Sequence, residues 1–136
     1  MSLPDDLNQN TASLVVIDMQ HIFHDEGSQW YCPEYGVAER NVRRLAEVYS
    51  GNTIWTRFVR DPSEHGSWSS YYQRWDRCRD PEDSSAWDIT APVADKDQVI
   101  TLPTFSKWGD DLAARTEKKK YLIVCGVATD CCVLST

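Results

Sequence analysis

The chain has 136 residues, the size of one domain, with 41% hydrophobic and 26% charged residues, an ordinary globular balance. Its formal net charge of −7 argues against nucleic acid as a partner, because phosphate binding needs a basic face. No apolar run approaches the roughly 20 residues that span a bilayer, and the start lacks the basic and apolar stretches of a signal peptide, so no membrane association is expected.

Residues 1–12 read as a loose lead-in. Leu14-Val15-Val16-Ile17 is a short continuous apolar run rich in β-branched residues, the pattern of a strand covered on both faces. Asp18 follows at its C-terminal end, and residues 19–35, with Gly27 and Pro33, read as loop. Ala38, Val42, Leu45 and Tyr49 recur at helical spacing opposite Arg40, Arg43, Arg44 and Glu47, which predicts a helix over 37–49 ended by Ser50-Gly51-Asn52. Residues 53–59 then read as a second strand, and strand–helix–strand with short joints implies a parallel sheet.

Residues 60–95 are rich in Asp, Ser, Pro, Trp and Arg. A connection this long is usually functional, and short helical turns are expected around 69–78. The six tryptophans and six tyrosines, several of them in this region, suggest a lined pocket or an association surface. A third strand is predicted at 99–102, a loop at 103–109, a helix from about 110 to 117 with Asp110 and Asp111 in its first turn, and a buried last strand at 121–125.

The five cysteines, at 32, 78, 125, 131 and 132, show no paired spacing and one falls within the last strand. That usage indicates a reduced, cytoplasmic chain and not a disulfide scaffold. Asp18 ends the first strand, Lys107 follows the third, and Cys132 follows the last. In an open parallel sheet these C-terminal edges converge on one crevice where ligands bind. A thiol can attack an electrophilic carbon, a carboxylate can take its proton, and an ammonium can stabilise developing negative charge. A helix beginning after the last strand would place its positive end where it could hold a thiolate.

Three segments carry a resemblance. Leu14 to Gln20 with Phe23, Thr104 to Trp108, and Gly126 to Thr136 resemble, in order, the opening, lysine and nucleophile motifs of the isochorismatase-like cysteine hydrolases, a family that includes nicotinamidases, N-carbamoylsarcosine amidohydrolase-type enzymes and isochorismatases. The resemblance implies a single domain over 1–136 with an α/β fold, a three-layer α-β-α sandwich around a mostly parallel, Rossmann-like sheet. It implies a triad of Cys132, Asp18 and Lys107; Cys132 is selected over Cys131 because the family nucleophile directly precedes the Val of its motif. It further implies a cis peptide at Val127-Ala128 that aims the Ala128 N–H, with that of Cys132, at a substrate oxyanion. Because the family fold continues past the nucleophile, the expectation is also that the domain lacks its C-terminal part.

The metal-ligand stretch of nicotinamidases corresponds here to Val59-Arg60-Asp61-Pro62-Ser63-Glu64-His65, in which only His65 survives. No metal and no cofactor are therefore expected, and His21 and His24 are taken as surface or pocket residues. Gln20, Phe23, Trp68 and Trp108 are expected as pocket walls. The implied function is hydrolysis of an amide or N-carbamoyl C–N bond of a small molecule through a thioester, by a homo-oligomer. Two alternatives stand beside it: vinyl-ether hydrolysis with Asp18 as acid, and a catalytically silent binding protein.

Overall fold

The computed structural model describes residues 4–136. Strand β1, Ala12–Ile17, is buried at every position, as a run that is apolar on both sides must be. It lies inside a four-stranded parallel sheet of order β3-β2-β1-β4, with β2 at Thr53–Phe58, β3 at Gln98–Leu102 and β4 at Tyr121–Gly126. The register pairs Val15 with Ile54 on one side and with Val124 on the other. Among the described residues four α-helices accompany the sheet: α1 at His21–His24, α2 at Tyr35–Val48, α3 at Trp68–Arg74 and α4 at Asp110–Thr116.

Alternation along β1 divides the interior in two. Ala12, Leu14 and Val16 meet Tyr35 and Val42 of α2, together with Tyr49, on one face. Val15 and Ile17 meet Ile54, Ile100 and Leu112 of α4 on the other. Helices on both faces of a parallel sheet make the three-layer α/β architecture expected from the strand–helix–strand pattern.

Most elements fall within two residues of their predicted bounds, and the differences have local causes. The 19–35 segment is not all loop: His21–His24 forms one helical turn, too short to carry a periodic signal. The last strand is not buried. Along β4 Tyr121, Ile123 and Cys125 are half-buried, while Leu122 and Val124 are 37% and 44% exposed. The strand is a sheet edge, and the core that Leu112 of α4 closes draws on β1, β2 and β3 but not on β4.

The 60–95 segment holds α3 and single turns at Asp76–Cys78 and Ser85–Trp87. Glu64 clasps it by accepting from Arg60 at 2.6 Å and from Arg79 at 2.9 Å. Its aromatic residues are largely core, not an open lining. Trp68 stacks on Tyr72 and meets Phe105 edge-on, Phe58 and Trp30 close the cluster against Trp87, and Trp87 is fully buried. A concave pocket wall needs free ring faces, and here the rings use theirs on each other.

Candidate active site

Asp18 is the first residue after β1 and has φ +49°, in the left-handed region that Asp tolerates better than most residues. The turn is fixed from beside it. The Thr56 hydroxyl of β2 donates to Asp18 Oδ1 at 2.7 Å and accepts the Asp18 N–H at 3.2 Å. The Asp18 carbonyl accepts from the Gln20 N–H at 2.8 Å. The carboxylate is thereby aimed along the C-terminal edge of the sheet.

Lys107 comes from the loop after β3. Its ammonium donates to Asp18 Oδ2 at 2.8 Å, to Thr104 O at 2.7 Å and to Phe105 O at 3.1 Å, and sits 5.3 Å from the Phe58 ring centre. Three N–H donors thus meet three acceptors, which is what a buried ammonium requires. Both partners of the ion pair are fully buried. With every N–H engaged, Lys107 acts on its surroundings through charge and through its hold on Asp18.

Cys132 lies in a wide π-type turn, Thr129–Val133, that follows β4. The approach depends on Gly126, whose φ is +118°; a Cβ there would stand 2.1 Å from the Ile17 carbonyl oxygen. That close passage lets the Val127 N–H donate to Ile17 O at 3.0 Å, so β4 delivers the turn directly beside Asp18. The Val127-Ala128 peptide is cis. The Ala128 carbonyl accepts from Cys131 and Val133 within the turn, while among the described residues no acceptor takes the Ala128 N–H.

Cys132 is almost fully buried. Burial pushes its thiol well above the ordinary range, and the Asp18 carboxylate, as a charge and as a hydrogen-bond partner, pushes it further; the Lys107 ammonium opposes this. The thiol sits within the π-type turn itself, with Leu134 after it in right-handed helical conformation. The Asp18 carboxylate beside the thiol is the group placed to take its proton.

Two residues outside the sequence motifs' named roles complete the site. The Thr136 hydroxyl accepts the Lys107 backbone N–H at 2.9 Å and donates to Cys132 O at 2.7 Å, tying the lysine loop to the cysteine turn. Tyr71 of α3 approaches the same sulfurs: its hydroxyl is pushed up to about 12, first by burial and then by Cys131, Cys78 and Cys132. Thr56 and Thr136 carry no sequence signal as hydrogen-bond partners, because a threonine's role is decided by what lies opposite it.

The expected pocket residues separate. Gln20 is no wall: its amide is buried, donates to Phe58 O at 2.9 Å and Trp87 O at 2.7 Å, and accepts the Phe58 N–H at 2.8 Å. It is a structural tie between β2 and the Ser85–Trp87 turn. Phe23 is buried against Trp30, Trp68 is half-buried in the aromatic cluster next to Phe105, and Trp108 stands 52% exposed. A groove of about 260 Å³ around Arg43, Trp55 and Asp97 contains none of Asp18, Lys107 and Cys132.

The sequence profile of the isochorismatase domain matches residues 12–136. Among solved structures, a cysteine hydrolase from Pseudomonas syringae pv. phaseolicola superposes with a TM-score of 0.81 at 21% identity, covering 100% of this chain and 70% of that one. An N-carbamoylsarcosine amidase from Thermoplasma acidophilum gives 0.72 at 18% identity over 93% of this chain and 73% of that one. A nicotinamidase from Bacillus subtilis gives 0.70 at 17% identity over 91% and 75%. At these identities the likeness speaks for the fold. No curated protein matches the chain.

Proposed function

Since the chain belongs to the isochorismatase domain family and is a hydrolase of that family, we propose that it cleaves a C–N bond, of the amide or N-carbamoyl type, in a small molecule, with Cys132, Asp18 and Lys107 as its catalytic residues. The observation that carries this reading is the buried Asp18–Lys107 pair set beside the Cys132 thiol. A neutral thiol needs a base at the moment of attack, and Asp18 is that base.

In this scheme the Cys132 proton passes to Asp18 as sulfur bonds to the carbonyl carbon. The carbonyl π electrons move to oxygen, and the N–H groups of Ala128 and Cys132 receive the oxyanion. The free Ala128 N–H supports that assignment. The oxyanion collapses, the C–N bond breaks, and the leaving nitrogen takes the proton from Asp18. Water then attacks the thioester, giving its proton to Asp18; the C–S bond breaks and the sulfur recovers the proton. Lys107 holds the Asp18 carboxylate in place and offsets negative charge through both halves. Vinyl-ether hydrolysis would leave the thiol without a task, which favours the C–N reading.

Turnover on a panel of small primary amides, N-carbamoyl compounds and a vinyl ether tests this. Cys132→Ala is expected to lose activity by about 1,000-fold or more, and acid-quenched wild-type protein to carry the acyl mass on Cys132. Undiminished turnover by Cys132→Ala overturns the covalent scheme.

A further inference from the structure

Helix α1 is one turn, His21–His24, closed by the Asp25 N–H donating to His21 O at 2.8 Å. Residues spaced i, i+3 and i+4 share one helix face, so His21, His24 and Asp25 project together. His24 Nδ1 lies 2.9 Å and His21 Nδ1 3.6 Å from the same oxygen, Asp25 Oδ1. Among the described residues this is the one trio of His, Cys, Asp or Glu whose ligand atoms all lie within 4.8 Å of one another.

We propose that His21, His24 and Asp25 form a binding site for a divalent transition cation of the Zn²⁺ type, bound by both Nδ1 atoms and one carboxylate oxygen, with water in the remaining position. A tetrahedral ion with bonds of about 2.0–2.1 Å sets its ligand atoms roughly 3.3 Å apart, and the two observed separations bracket that spacing. Two imidazoles and one carboxylate select zinc, cobalt or nickel over magnesium and calcium, which prefer oxygen throughout. Both rings bind as neutral imidazole with the proton on Nε2, so the His24–Asp25 hydrogen bond gives way to two bonds to the ion.

The ligands are held in place beforehand. The His21 N–H donates to Asp88 O at 3.1 Å, the Ser28 N–H to Asp25 O at 2.9 Å, and the Cys32 N–H to Phe23 O at 2.8 Å. The His24 ring lies edge-on to Tyr35 with centres 5.1 Å apart, and the Tyr35 hydroxyl is fixed to Thr90 Oγ1 at 2.7 Å. The three side chains are 43%, 47% and 58% exposed, so the ion has an open approach, and the net charge of −7 concentrates cations near the surface. The stretch from Val59 to His65 contributes no ligand; this site is separate from it and from the triad. Its role is to clamp the segment that leaves Asp18 and Gln20 and turns toward Trp30.

The test uses the full chain with reduced thiols, titrated with Zn²⁺ by calorimetry and with Co²⁺ by visible absorption. One ion per chain is expected, with Co²⁺ bands from nitrogen and oxygen ligands and no thiolate charge-transfer band. His21→Ala, His24→Ala and Asp25→Asn are each expected to weaken binding about tenfold or more and to abolish the Zn²⁺-dependent rise in unfolding midpoint. Unchanged affinity in His24→Ala overturns the proposal. So does a thiolate charge-transfer band, or binding lost on alkylation of Cys131 and Cys132, either of which assigns the ion to the cysteines.

Discussion

Lys107 donates to Asp18 at 2.8 Å across 89 positions of sequence, and neither side chain touches solvent. Removing one partner of such a pair leaves a bare charge in the interior. Lys107→Met is therefore expected to destabilise the fold by about 3–5 kcal/mol, and Lys107→Met with Asp18→Asn by clearly less, because the neutral pair leaves no uncompensated charge. Urea unfolding of the three proteins checks this; equal losses in the single and double variants would refute it.

Thr56 bears on Asp18 alone, through Oδ1 at 2.7 Å and through the Asp18 N–H at 3.2 Å. Thr56→Val keeps the shape and strands a carboxylate oxygen and a backbone N–H, with an expected cost of about 1–3 kcal/mol for each. If the bond aims the base, kcat falls with KM little changed, and Thr56→Ser restores it. A fall in stability with kcat intact would leave Thr56 a structural residue only.

Iodoacetamide reads the Cys132 proton. Since burial and Asp18 raise this thiol while Lys107 lowers it, alkylation of Cys132 at pH 7 is expected to be slower than that of an ordinary thiol, and to accelerate only above pH 8.5 or so. Asp18→Asn removes a raising influence and should speed the reaction at fixed pH; Lys107→Met should slow it. Peptide mapping of the labelled site separates Cys132 from Cys131.

Alkaline stability follows from two other cysteines. Burial pushes Cys78 up to about 11 and Cys125 up to about 12, whereas unfolded thiols ionise near 8.5. Above that pH the unfolded chain binds fewer protons than the folded one, so stability falls as pH rises, by about 1.4 kcal/mol per pH unit for each thiol, until the folded thiols titrate in turn. Below pH 8 the contribution is fully present. Denaturant midpoints at pH 7.5, 9 and 10.5 should decline, and Cys78→Ala with Cys125→Ala should make the decline shallower, the remainder coming from thiols such as Cys132 that are raised in the same sense.

Gly126 and Gly27 make a matched pair of tests. A methyl at Gly126 meets the Ile17 backbone at 2.1 Å and a φ of +118°, while one at Gly27 meets nothing within 4 Å. Gly126→Ala is expected to yield little folded protein, and Gly27→Ala to stay within about 0.5 kcal/mol of the parent. A well-folded Gly126→Ala by circular dichroism would mean the β4 turn can be rebuilt.

The patterns that were legible in the chain are those with a local cause. The β1 run, the α2 stripe of Val42 and its neighbours and the strand–helix–strand order fixed the parallel sheet, because period and connection length act over short distances. The 60–95 segment was not legible, because Trp68, Tyr71, Tyr72 and Trp87 have no period and organise only around Phe58 and Phe105 from other elements.

By itself the sequence determined the four strands, the helices α2 and α4, the parallel arrangement, and that Asp18, Lys107 and Cys132 each follow a strand, since backbone periodicity and the C-terminal placement of loops are written locally. Only the tertiary structure decided the burial of Cys132 beside Asp18, the saturation of Lys107, the conversion of Gln20 from wall to tie, and the meeting of His21 and His24 with Asp25. Those properties are sums over neighbours brought together from distant positions, or over atoms whose directions a turn must fix, and burial and charge at a point have no value until the chain has folded around it.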